Sequence, residues 1–133
     1  IEGLSELMAG GWIVARALLL DVLETHPGCL VAHARLGLIA SALEHRDEAL
    51  AHLTAAVRLG MGALQRPPID AGGRAGRALL EALRGRAEIL LSSGDVEAAL
   101  GDLQRAMAWD PSDALELGGL LEAARATSRP AAC

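Results

Sequence analysis

An all-α fold, a stack of antiparallel helix hairpins closed by one further helix, is predicted by three features of the sequence. They are its composition, a recurring spacing of small residues, and prolines that follow two of the three recurrences. The chain has 133 residues, 52% of them hydrophobic, which supplies apolar side chains for one continuous core. That stock is unusual: 27 Ala and 25 Leu, no Phe, no Tyr, and only Trp12 and Trp109. Ala and Leu are strong helix formers, and the aromatic and β-branched residues that favour strands are scarce.

The spacing has a period. Gly3, Ala15, Leu19 and Val22 return 34 residues later as Gly37, Ala49, Leu53 and Ala56, and again as Ala87, Ala99, Leu103 and Ala106. Pro27 follows Val22, and Pro111 follows Ala106, by the same five residues. Gly10, Glu44 and Gly94 share one register, where a helix-to-helix turn is expected. Small side chains let two antiparallel helices approach. Gly37 is therefore expected against Ala49, and Ala87 against Ala99, with Leu19, Leu53 and Leu103 filling the space between.

Taken in chain order, the first hairpin is expected as helices over 2–9 and 11–25, turning at Gly10 and stopped before Pro27, which cannot donate the next backbone hydrogen bond. The second is expected over 29–43 and 47–59, with Asp47 and Glu48 favouring a helix N-terminus. The step from Ala49 to Ala99 is 50 residues, so 16 are inserted. They fall in GMGALQRPPIDAGGRAGR, whose Pro-Pro and Gly-Gly pairs mark a loop at about 60–76. The third hairpin is expected over 76–92, with an apolar seam of Leu80, Leu83, Ala87 and Leu90, and over 96–108 after the Gly94-Asp95 turn. Asp110-Pro111-x-Asp113 reads as the start of a capping helix over 113–126.

These residues resemble the tetratricopeptide repeat family. The match is best from Leu83 to Pro111, containing AEILLSSGDVEAALGDLQRAMAWDP, then from His33 to Leu59, containing LGLIASALEHRDEALAHLTAAVRL. The unit from Gly3 to Pro27 is degenerate. The family's early aromatic is His33 or Leu83 here, its later one Ala40 or Leu90, and Arg86 stands where it prefers Leu. The resemblance implies a single α-solenoid domain over 1–133. Its units are about 1–28, 29–60 and 76–111, with the capping helix at about 112–127.

Chemistry has thin support. No Gly-x-Ser-x-Gly elbow is present, Ser92-Ser93 precedes an ordinary turn, and GGRAGR lacks the Lys-Ser/Thr ending of a phosphate loop. His26, His33, His45 and His52 gather near Cys29, but no recognised metal-ligand order accompanies them. A chain without enzymatic activity, cofactor or metal is expected. All 12 basic residues are Arg and the net charge is −5, a poor composition for gripping nucleic acid. No apolar run approaches the ~18–20 residues of a membrane span, and no basic-then-apolar signal segment opens the sequence. Cys29 and Cys133 make no disulfide scaffold. A cytoplasmic setting is the expectation.

Arg66, Arg74, Arg77 and Arg84 cluster, with Arg86 beside them, and are candidate anion contacts because guanidinium forks pair bidentately with carboxylate or phosphate. The plainer reading is that they offset the seven acids between Asp95 and Glu122. The resemblance implies a concave groove lined by the first helix of each hairpin. In that register stand Leu4, Leu7 and Met8, then Val31, Ala34, Leu38, Ser41 and Ala42, then Glu81, Arg84, Glu88, Leu91 and Ser92. Ala34 and Leu38 replace the Lys, Arg and Asn with which family members hold acidic chaperone tails. The expected function is a protein interaction module whose groove takes a hydrophobic or amphipathic peptide segment. The alternatives are an accessory domain of a larger enzyme or regulator, and a scaffold that associates with its own copies.

Overall fold

A computed structural model describes residues 2–63, 73–113 and 115–128, with side chains described for 10–63, 73–113 and 115–127. The described residues form six helices and no strand: α1 (Glu2–Thr25), α2 (Leu30–Ala42), α3 (Arg46–Ala63), α4 (Arg74–Ser92), α5 (Val96–Trp109) and α6 (Gly118–Ser128). Each helix packs on the next, and α2 also packs on α4. The shared core is built from Leu and Ala. Leu36, Leu53, Leu79, Leu80, Leu83 and Leu103 are its largest fully buried side chains, with Ala40, Ala49, Ala56, Ala87 and Ala99 wholly buried between them.

Close helix approach has an identifiable cause at two glycines. A Cβ on Gly37 would lie 2.5 Å from Leu53 Cγ and 3.2 Å from the Leu53 backbone N, so α2 meets α3 where α2 has no side chain. The nearest atoms belong to Leu53, one turn beyond the expected Ala49. A Cβ on Gly60 would lie 2.8 Å from Leu79 Cδ1, so α3 meets α4 closely there as well.

The turns after α2 and α4 are built alike. His45 N–H donates to Ala40 O and Glu44 N–H to Ser41 O; Asp95 N–H donates to Leu90 O and Gly94 N–H to Leu91 O. Both are Schellman turns, which need one residue in the left-handed region. Gly94 fills it at φ 83° and Glu44 at φ 63°. Asp95 then caps α5 by accepting from Ala98 N–H at 3.4 Å.

Three elements differ from the sequence reading. The first expected hairpin is one helix, α1, which runs straight through Gly10 and Gly11. Helix α3 continues to Ala63 because Met61 stands in register with Pro27 and Pro111, and nothing blocks its last turn. With α4 beginning at Arg74, both helices take residues from the expected loop, and the Pro-Pro segment lies outside the described residues. Finally, α6 starts at Gly118 and not near Asp113, because Asp113 and Glu116 have positive φ (52° and 55°) and turn the chain first. The Asp113 carboxylate accepts from Leu117 N–H at 2.7 Å and Gly118 N–H at 3.0 Å, so it caps the later start. Leu117, Leu121 and Ala124 bury this helix on the core.

Candidate functional site

Helices α2 and α4 lie side by side in the same direction, with α3 between them in sequence. Gly85 permits the approach: a Cβ there would lie 3.1 Å from Leu38 Cδ2. Two clefts open along this seam. One, of about 310 Å³, has Val31, Ala34 and Arg35 on the α2 side, and Arg74, Arg77, Ala78 and Glu81 on the α4 side. The other, of about 440 Å³, has Leu38, Ser41 and Ala42 opposite Glu81, Arg84, Gly85 and Glu88. Glu81 lines both, so the two clefts adjoin.

The α2 wall of this face is apolar apart from Arg35 and Ser41, and the α4 wall is mainly charged. Arg77 pairs with Glu81 at 3.0 Å and Arg84 with Glu88 at 2.8 Å, each four residues apart on one helix face. Arg35 and Arg74 make no ion pair among the described residues, and both are exposed. The first cleft therefore carries uncompensated positive charge.

Of the groove residues expected from sequence, Val31, Leu38, Ser41, Ala42, Arg84 and Glu88 meet on this one face. Ala34 is only 1% exposed and forms cleft floor, so it offers a ligand little surface. Leu91 is half-buried and packs against the core instead of lining either cleft. Leu4, Leu7 and Met8 belong to the first half of α1, and their side chains lie outside the described residues. Of the candidate anion contacts, Arg74 and Arg77 share the first cleft and Arg84 stands in the second, held by Glu88. Arg66 lies outside the described residues. Sequence reasoning missed Arg35, which joins Arg74 and Arg77 across the seam. Its signal is the parallel alignment of α2 with α4, which a search for clustered arginines along the chain does not test.

Two of the histidines meet between helices. His33 Nδ1 lies 3.1 Å from His52 Nδ1, and His33 Nε2 lies 2.9 Å from Pro27 O, so the pair joins α2 to α3. Burial, then the neighbouring His33, lowers the His52 pKa below its ordinary 6.5. No group of three or more His, Cys, Asp or Glu among the described residues could hold a metal ion. His45 sits 3.4 Å from Glu48, whose other oxygen accepts from Arg16 Nε at 2.9 Å and ties α1 to α3. The Arg16 hydrogen bond lowers the Glu48 pKa despite partial burial.

Arg86, out of pattern in the sequence, is explained by Asp102. The guanidinium grips the carboxylate through Nε at 2.7 Å and Nη2 at 2.5 Å, and Nη1 reaches Thr54 Oγ1 at 3.5 Å. One side chain thus fastens α4 to both α3 and α5.

Among the described residues no helix is long and apolar enough to cross a membrane. Compared with known proteins, the chain matches no protein-family model and no curated sequence.

Proposed function

We propose that the chain is a tetratricopeptide-like interaction module which holds an amphipathic protein segment along the seam between α2 and α4. The observation that carries this reading is the pair of adjoining clefts in which Val31, Leu38 and Ala42 stand opposite Arg77, Glu81, Arg84 and Glu88. A segment laid there would set apolar side chains on the α2 wall and polar ones toward α4, as in helix-in-groove recognition. Arg35 and Arg74, unpaired among the described residues, favour an Asp or Glu on that segment, since a carboxylate completes charge-assisted hydrogen bonds with guanidinium. The order of packing supports the reading too: α2–α3 and α4–α5 are two hairpins in series with their first helices adjacent, related by the 50-residue step that joins Ala49 to Ala99.

Selection from a displayed peptide library tests it. The enriched peptides should combine apolar residues with Asp or Glu. Ala42→Arg, at an exposed wall position, should weaken their binding by about tenfold or more, the equivalent of at least about 1.4 kcal/mol. Arg35→Glu with Arg74→Glu should abolish the preference for acids. Leu38→Glu is a poorer probe, because Leu38 also packs against the core. No enrichment, or peptides indifferent to Ala42→Arg, would refute the proposal.

A further inference from the structure

The second half of α1 leaves an apolar face uncovered. Ile13, Val14, Leu18 and Val22 are between 40% and 62% exposed, and they are the exposed large hydrophobic residues of the described chain. The repeat register shows what is missing. Ala49, Leu53 and Ala56 of α3 are wholly buried, with α2 folded back against that helix. Their counterparts 34 residues earlier are Ala15 and Leu19, only half-buried, and Val22, at 40% exposure. Helix α1 has no folded-back partner, since its own first half runs straight on. The vacant seat is an apolar cleft of about 380 Å³ between Ala15, Leu18 and Leu19 of α1 and Arg35, Leu38 and Ile39 of α2.

We propose that this seat is filled by residues 2–9 of a second copy of the chain, in a two-fold exchange of the first half of α1. The segment has the right register for the seat. Gly3, Leu4 and Gly10 stand 34 residues before Gly37, Leu38 and Glu44, and Gly37 is the residue whose missing side chain admits Leu53. Moved back by one period, Gly3 of one copy faces Leu19 of the other. Antiparallel symmetry then returns Leu19 to Gly3 and centres the crossing on Gly11. Both Gly10 and Gly11 are exposed, and nothing lies within 4 Å of where their Cβ atoms would be, so a second helix can approach there closely. A straight α1 carries residues 2–9 away from the seat on its own chain, which leaves the seat to another molecule. Exchange about a two-fold axis fills both seats and closes the assembly. It also sets Leu4, Leu7 and Met8 of the second copy beside α2, completing in trans the groove that begins at Leu38. The seat shares Arg35 and Leu38 with the α2–α4 face, and the mass of the chain without peptide reads dimerisation apart from peptide binding.

Light scattering on the full chain across a concentration series reads the outcome. The expected mass rises to twice 13.7 kDa. Leu18→Glu, at a side chain 62% exposed, returns it to 13.7 kDa with unchanged far-UV circular dichroism. In a Cys29→Ser, Cys133→Ser background, Gly11→Cys should be joined between chains by a short bis-maleimide. A mass of 13.7 kDa at every concentration, a dimer that Leu18→Glu leaves intact, or Gly11→Cys not joined between chains overturns the proposal. So does a Leu4→Cys, Leu18→Cys pair joined within one monomer, which would show the chain's own segment folded back.

Discussion

Removing the Asp102 carboxylate should destabilise the fold more than any surface change. Its side chain is 5% exposed and that of Arg86 17%, and two short charge-assisted bonds join them. In Asp102→Ala the guanidinium stays enclosed with only the long contact to Thr54 and whatever water reaches it. Breaking a buried pair from one side costs about 3–5 kcal/mol, and the partial exposure of Arg86 argues for the lower end, about 3 kcal/mol. With an unfolding entropy of about 2.1 cal/mol/K per residue, that loss lowers Tm by about 10 °C. Arg86→Met with Asp102→Leu removes both charges together and should recover most of the loss, to within about 1 kcal/mol of the parent. Urea titration followed by far-UV circular dichroism on the parent, both single variants and the double variant gives the cycle. If Asp102→Ala costs under about 1 kcal/mol, or the double variant costs the sum of the singles, the pair does not fasten α4 to α5 as described.

Gly37→Ala should destabilise by about 1–2 kcal/mol, because its Cβ would meet the fully buried Leu53 at 2.5 Å. Gly101→Ala, on the exposed side of α5 with nothing within 4 Å, should stabilise by up to about 1 kcal/mol; thermal melts of the two variants check the contrast. Glu44→Gly should raise stability by about 0.5–1 kcal/mol by relieving a left-handed residue, partly offset by the freedom glycine gains when unfolded, and a lower Tm would contradict this. The His52 imidazole has its pKa lowered in the folded state, so the unfolded chain binds more protons as pH falls through 6.5. Stability should therefore be full above that pH, decline below it, and level off beneath the folded pKa. Glu48, held low by Arg16, keeps its contribution across that window and loses it only at more acid pH. Melts over this range should show the decline in the parent and a smaller one in His52→Asn.

Much of α2 to α5 was readable from sequence because periodic small residues, turn positions and stops agree there. Glu44 and Gly94 do adopt one backbone conformation, and α5 does end before Pro111. Helix α1 was misread for a physical reason. Glycine permits a turn without compelling one, and Gly10-Gly11 lies between helix formers with no proline to break the run. The α6 start was misplaced because an acid before a helix can cap it at once or after a turn, and the choice lies with Leu117 reaching the core. At the candidate site, the register projected from the repeat resemblance named Leu38, Ser41, Ala42, Arg84 and Glu88, which line one cleft. It could not tell that Ala34 sinks into the floor or that Arg35 crosses to Arg74 and Arg77, because both depend on how α2 and α4 slide past each other. The same limit hid Asp102 as the partner of Arg86.

Packing that runs from each helix to its neighbour gives the molecule two ends that can loosen separately. Nature has put a fluorophore at each: Trp12 on α1 and Trp109 at the close of α5, with no tyrosine to blur them. Silencing either indole in turn lets the remaining one report whether fraying begins at the leading or the trailing end.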